Sequence, residues 1–320
     1  MEETNIHKKI YGNDAQLVSD DGYCEVWRYD DENGEAVITS YRVLPGVILA
    51  YNDVHLASGQ IERTVSDKIL EINHCREGRM ECELRDEFFY LAPGDFSMAH
   101  KKSGGRSSYF PLSHYHGITI LIDTEHAPKC LSCLLADVDI NIDELSQKFC
   151  GGDGCYIARS KPYIAHIFSE LYSVPESIRK GYFKVKILEL LLYLSGMEPE
   201  NECSQRGAYS QTQTELAKEV CKYLTEHMDD RITLAEISDM FHISGTQIKN
   251  AFKGVYGVSV YAYIRTQKMH SAALMLRHTK RSVLDIAGSF GYDNASKFSS
   301  AFKNVIGMTP IEYRNADIQE

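Results

Sequence analysis

No stretch of this 320-residue chain approaches the roughly 20 consecutive apolar residues that a membrane-spanning helix requires. The first residues, Met-Glu-Glu-Thr, lack the basic-then-apolar layout of a secretory signal, so the expected location is the cytoplasm. Nine cysteines, an odd number in a long chain, make no disulfide framework, and in a reducing compartment they are thiols or ligands. A surplus of positive charge is also missing. The net charge of −11 at first argues against a nucleic-acid partner. What remains is 43% hydrophobic and 25% charged, the make-up of a globular protein, with length enough for two domains that each bury a core.

The charge is unevenly placed. Residues 213–320 hold 13 Lys and Arg against 12 Asp and Glu, so the acidity belongs to residues 1–212, at about −12. The balanced segment is also the one that repeats itself. Thr233 to Phe241, then Phe252-Lys253, Gly257 to Ser259 and Tyr263 are matched by Ser282 to Phe290, Phe302-Lys303, Gly307 to Thr309 and Tyr313. The offset is 49 residues at the start and 50 after Asp293. Thr233 with Glu236, and Ser282 with Asp285, have the spacing of a capping box, in which a carboxylate reaches back to orphan amides. Leu234, Ile237 and Phe241, like Val283, Ile286 and Phe290, follow at helical spacing. After a short break, at His242-Ile243 or Gly291-Tyr292, a second helix opens at Ser244 or at Asp293-Asn294. Only Ile248 and Phe252, or Phe298 and Phe302, are committed to a core there. A short helix, a tight turn and a polar-faced second helix make a helix-turn-helix, whose second helix enters the major groove. Two are expected, at 233–254 and 282–304.

Between them, Val260 to His278 should form one connecting helix, and Thr214 to Met228 an amphipathic lead helix. The candidates for base edges are Thr246, Gln247, Lys249 and Asn250 in the first copy, and Asn294, Ser296, Lys297 and Ser300 in the second. Lys253, Lys280, Arg281 and Lys303 are the candidates for phosphates.

These residues carry a resemblance. From Thr212 to Arg314 the chain resembles the AraC/XylS family of bacterial transcription regulators, most specifically at Ile286-Ala287, Gly291-Tyr292, Phe298, Phe302-Lys303, Gly307 to Pro310 and Tyr313-Arg314. His242 stands where the first copy often has Gly. The resemblance implies promoter DNA and RNA polymerase as partners, a homodimer, a small-molecule effector, and a role as activator rather than enzyme.

The amino-terminal part reads differently. From Tyr23 to about Asp123, short apolar alternations appear at Cys24–Tyr29, Ala36–Tyr41, Gly46–Tyr51, Lys68–Asn73, Met80–Leu84, Phe88–Leu91 and Ile118–Ile122, the pattern of a sandwich or small barrel. Gly78 to Asp95, with a turn at Pro93-Gly94-Asp95, resembles the cupin-type sensor of many AraC-family regulators. The expected fold is therefore α+β and multidomain: a cupin-like β-barrel at 1–125, a helical dimerisation segment at 126–197, a linker at 198–212, and an all-α DNA-binding domain at 213–320.

Trp27, Tyr41, Tyr51, His74, Tyr90, His114 and His116 are the candidates for an effector. Phe88 and Phe89 extend the aromatic set. Ile187, Leu190, Leu191 and Leu194, on a helix apolar over more than half its circumference, are the candidates for dimerisation. His114-Tyr-His116 on a strand would point both imidazoles to one face. His55, His74, Cys75, Cys82 and His100 could complete a metal site with them. The chain gives no clear match to the standard cupin histidine-and-glutamate motif, so no metal or cofactor is expected, and Cys130-x-x-Cys133 has no second pair at zinc spacing. Two rivals remain: DNA binding joined to an effector-free protein-interaction domain, and a metal-dependent cupin enzyme with an incidental helical tail.

Overall fold

The computed structural model describes residues 15–31, 34–56, 60–62, 66–84, 87–101, 107–128, 140–151, 155–199, 208–228 and 232–316. Cys130, Cys133 and residues 200–207 of the expected linker lie outside them. The chain divides into two compact units between Ser210 and Gln211.

The first unit is built on one large sheet. Its strands are β1 (Gln16–Asp20), β2 (Cys24–Asp31), β3 (Gly34–Leu44), β4 (Val47–Leu56), β6 (Ser66–Gly78), β9 (Asp95–Lys101), β11 (Tyr115–Asp123) and β12 (Cys155–Arg159). They hydrogen-bond in the order β1-β2-β3-β4-β11-β6-β9-β12, and each neighbouring pair is antiparallel. Two small sheets accompany it: β5 (Gln60–Glu62) with β10 (Ser107–Tyr109), and β7 (Met80–Leu84) with β8 (Glu87–Leu91) and β13 (Tyr209–Ser210). The strand pattern expected between residues 23 and 123 is present, with β6 running longer than its apolar run. The main ladder, however, ends at β1 and β12 among the described residues, so it is an open sheet and closure into a barrel is not seen.

Because side chains alternate along a strand, the sheet divides its apolar residues between two cores. On one face Leu49, Ile72, Met98, Ile118 and Ile120 pack beneath three helices, α1 (Ile142–Cys150), α2 (Pro162–Leu171) and α3 (Arg179–Gly196). On the other Trp27, Ile38, Ala50, Val54 and Leu121 meet Met80, Phe89 and Leu91 of the small sheet. Each fully buried side chain of this size contributes about 1.5–3 kcal/mol. The second face also carries a polar seam, in which buried Asn52 donates to Thr119 Oγ1 at 2.9 Å and Thr119 donates to Asn73 Oδ1 at 2.7 Å.

Two expectations change here. The segment 126–197 is not helical throughout: Cys155–Arg159 is a strand, paired with β9. Ile187, Leu190, Leu191 and Leu194 of α3 are all buried in this unit's own core, so a dimer contact cannot use them as they stand. The sheet face needed a cover, and α3 supplies it. The large apolar side chains left outside on α3 are Val185, Leu192 and Tyr193.

The second unit is all helical: α4 (Gln211–Glu226), α5 (Leu234–Phe241), α6 (Gly245–Tyr256), α7 (Val260–His278), α8 (Val283–Ser289), α9 (Ala295–Ile306) and α10 (Pro310–Ala316). The lead helix α4 packs on α6, and α7 touches α6 as well as α8, α9 and α10. Phe252 stacks on Tyr256 at 4.4 Å between centroids and meets Tyr263 edge-on at 5.5 Å. In the second copy Phe298, Phe302 and Tyr313 form the corresponding chain, joined by Met269, Ala272 and Leu276 of α7. The connecting helix α7 occupies the residues its sequence predicts. No helix among the described residues is long and apolar enough to cross a membrane.

Candidate nucleic-acid interface

Each helix-turn-helix is set by hydrogen bonds that its own sequence supplies. The Thr233 hydroxyl accepts from the Glu236 amide at 3.3 Å while the Glu236 carboxylate accepts from the Thr233 amide at 2.7 Å, closing the box that opens α5. Ser282 and Asp285 do the same for α8. Bonds from Thr233 hold the Glu236 carboxyl below its usual pKa, and the Ser282 hydroxyl and amide lower that of Asp285. Thr309 and Glu312 repeat the device at α10. That third match to the same spacing was legible in the chain and was not singled out.

The two turns reverse the chain differently. Gly291 takes a positive φ of 79°, which glycine adopts without penalty. In the first copy the reversal falls on His242, at φ 54° and ψ 35°. A residue with a Cβ carries a cost of about 1–2 kcal/mol in this left-handed region. Ser238 secures the turn: its carbonyl accepts from the Ile243 amide at 3.2 Å, and its hydroxyl donates to the Ile243 carbonyl at 2.6 Å. We expect His242→Gly to stabilise the second unit by about 0.5–1 kcal/mol, the relief of strain outweighing the greater freedom of glycine when unfolded. Urea unfolding followed by helical dichroism measures it, and a midpoint that falls instead would contradict this account.

The second helices present the predicted set. Thr246, Gln247, Lys249, Asn250 and Lys253 on α6 are exposed, as are Asn294 at the start of α9 and Ser296, Lys297, Ser300 and Lys303 along it. Lys280 and Arg281, in the segment before α8, are exposed too. The opposite sides of the same helices, Ile248 and Phe252 or Phe298 and Phe302, are buried. Three of the polar set also have local work. Asn294 caps α9, its Oδ1 accepting from the amides of Ser296 at 2.8 Å and Lys297 at 3.3 Å. Gln247 accepts from the hydroxyl of Ser244, the cap of α6, at 2.8 Å. Arg281 donates to Ser289 Oγ at 2.8 Å, which lays its guanidinium along α8.

Other cations of this unit serve the fold. Lys268 donates to the Phe290 carbonyl at 3.3 Å, and the Arg277 guanidinium lies 5.4 Å over the Tyr313 ring. Exposed base-reading candidates on helices with buried aromatic backs, each opening on a capped amino terminus, can reach base edges and phosphates together.

The effector candidates do not converge. Trp27 lies in the core beside the small sheet, with its indole donating to Glu25 at 3.0 Å. Tyr41 and Tyr51 are on the opposite face, against Phe183 of α3. His74 shares that face, stacked on Phe168 of α2 at 4.2 Å. Tyr90, on β8, donates to Glu81 at 2.7 Å. His114 and His116 meet His55 at the exposed ends of β4 and β11, whereas His100 is bonded to Ser146. Asp53 and Glu77, which flank those three imidazoles, were not among the residues picked from the sequence. The signal was the alternation Asp53-Val-His55.

A family of helix-turn-helix domains matches residues 237–316 of the chain. Over 110 residues the chain is 29% identical to the Transposon Tn10 TetD protein of Escherichia coli, a match covering 34% of this chain and 80% of that protein. It is 31% identical over 104 residues to the Right origin-binding protein of Escherichia coli strain K12, covering 32% of this chain and 36% of that one. It is 24% identical over 157 residues to the Arabinose operon regulatory protein of the same strain, covering 48% and 52%. The chain thus spans about a third to a half of the length of the last two relatives. Residues 237–316 thus match a helix-turn-helix domain, and one of the relatives named above is an operon regulatory protein.

Proposed function

We propose that the whole chain is a DNA-binding transcription regulator of the AraC type, whose two helix-turn-helix motifs enter adjacent major grooves. The observation that carries this is the exposure of all the predicted contact residues on α6 and α9 while their aromatic backs are buried. The 19 residues of α7 give it a length of about 28 Å at 1.5 Å per residue. Successive major grooves on one side of B-DNA lie about 34 Å apart, so a connecting helix of this length fits two readers on one face.

Lys249 and Lys297 are assigned to base edges, where lysine suits guanine, and Asn250 to adenine. Lys253, Lys280, Arg281 and Lys303 are assigned to phosphates. Fluorescence anisotropy on duplexes from the gene's own upstream region, over a range of salt, tests the assignment. Lys249→Ala and Lys297→Ala should each weaken binding by about 1–3 kcal/mol and relax base preference at one position. Lys253→Ala and Lys303→Ala should weaken all sequences alike and lower the salt slope by about one unit each. Affinity and slope unchanged in all four variants would overturn the contact set.

Control belongs to the first unit. In this reading a small molecule bound there shifts the protein between two arrangements of a homodimer on its half-sites, and the bound form recruits RNA polymerase as an activator. The polar seam of Asn52, Thr119 and Asn73, on the sheet face that also carries Trp27, supports an effector site on that face. Val185 and Leu192 on the outside of α3 support a dimer contact there. Native mass spectrometry tests both, since a monomer with no co-purified ligand would remove them together. Transcript levels after deletion of the gene decide between activation and repression.

A further inference from the structure

We propose that His55, His114, His116 and Asp53 form a binding site for a divalent late first-row transition metal, of the zinc class, on the exposed end of the large sheet. Two adjacent strands bring the ligands together, and a third supplies an outer partner. Asp53 and His55 alternate on β4, and His114 and His116 flank Tyr115 at the start of β11. His116 stands directly across from Asp53 on one neighbour and from Glu77 of β6 on the other. Residues so paired have Cβ atoms about 4.5–5.5 Å apart. Gly78 lets the strands meet here: at φ 80° it sits where a Cβ would lie 1.9 Å from the His114 carbonyl oxygen.

The ligand atoms already face one another. His55 Nε2 and His116 Nε2 are 3.2 Å apart, and Asp53 Oδ1 is 2.9 Å from the first and 2.7 Å from the second. Metal bonds of about 2.0–2.2 Å from nitrogen and carboxylate oxygen place neighbouring ligand atoms at about this spacing. His114 closes the group, with one ligand atom from each of the three histidines lying within 4.8 Å of the others. Glu77 Oε2 lies 3.7 Å from His116 Nδ1, the far side of that ring, where a carboxylate orients a ligating imidazole. Imidazole-rich sets of this kind favour zinc, nickel, copper or iron over magnesium or calcium. Bound there, the ion would tie β4 and β11 together where these side chains are at least partly exposed, with room for a further ligand from solution.

Calorimetry on the full chain, stripped with a chelator and titrated with Zn²⁺ alone near neutral pH, reads the site. We expect one equivalent bound with a sub-micromolar Kd. His55→Ala with His116→Ala should weaken binding by more than the about 10- to 100-fold that Glu77→Gln, an outer partner, should cost. All these side chains are at least partly exposed, so the metal-free variants should melt as the parent does. With Co²⁺ in place of Zn²⁺, the spectrum should show d–d bands without thiolate charge transfer, which separates this site from any cysteine site. Only weak binding of several equivalents, tight binding that survives the double substitution, or a thiolate band would each overturn the assignment.

Discussion

Phe302→Ala is expected to remove about 3–5 kcal/mol from the second helix-turn-helix and with it most of that motif's DNA binding. Phe302 is fully buried, its ring 5.8 Å from that of Phe298 and 5.7 Å from that of Tyr313. The core around it is small: Met269, Ala272, Ala273 and Leu276 of α7, Ile286 and Ala287 of α8, and Phe290. Three of those neighbours are alanines, which have no side chain to swing into the space, so the cavity would stay largely open. A domain of this size has about 5–15 kcal/mol in total, so the loss is a large part of it. Phe252→Ala should cost the first copy a similar amount, since Phe252 holds the matching place between Tyr256 and Tyr263. Lys303→Ala, one residue further along α9 and exposed, should stay within about 0.5 kcal/mol. Urea unfolding of the full chain compares the three. A change below about 1 kcal/mol for either phenylalanine would mean that the repeat does not mark the core.

What could be read from the chain was what neighbouring residues decide between themselves. Thr233 with Glu236 and Ser282 with Asp285 are separated by one turn, so spacing alone revealed the boxes that open α5 and α8. The glycine ending each second helix, Gly257 at φ 75° and Gly307 at φ 90°, is equally local. The polar faces of α6 and α9 follow from periodicity once those ends are known. The sheet is another matter. β11 lies between β4 and β6, pairings between segments far apart in the chain that no local pattern specifies. The pairing with β4 is what joins His116 to Asp53 and brings His55 beside both, so the sequence could offer His55 only as one of several possible partners of His114 and His116, and could not offer Asp53. Alternation along each strand was visible, but which face of one strand continues which face of the next was not. Trp27 and Tyr41 therefore looked like one lining and lie in opposite cores. Ile187 and Leu190 failed as dimer candidates for a related reason: a strongly apolar helix announces that it needs a cover, and the cover is its own sheet.

His74 should make the first unit lose stability as the pH falls from about 6.5 toward 4. His74 is 7% exposed, its ring lies nearly parallel to Phe168 at 4.2 Å, and the Tyr172 hydroxyl is 3.5 Å from Nδ1. Burial in these surroundings penalises the imidazolium and pushes the pKa down to about 4, against an opposing pull from Asp95. In the unfolded chain the same group titrates near its ordinary 6.5. Above pH 7 both states are neutral there and the residue contributes no pH dependence. Between the two values the unfolded state binds a proton that the folded state refuses, so stability falls by up to about 1.4 kcal/mol per pH unit, and by about 3 kcal/mol across the window. Carboxylates titrate at the lower end, and His114, whose pKa is also lowered, first by burial and then by His116 and His55, adds to the slope. Comparison with His74→Leu isolates the single group: it keeps an apolar side chain against Phe168 and cannot be protonated. Urea midpoints of the parent should fall more steeply than those of the variant between pH 6.5 and 5, with the curves converging in slope above pH 7. Parallel curves through that interval would show that His74 accepts its proton in the folded protein, and that the contact with Phe168 opens at little cost.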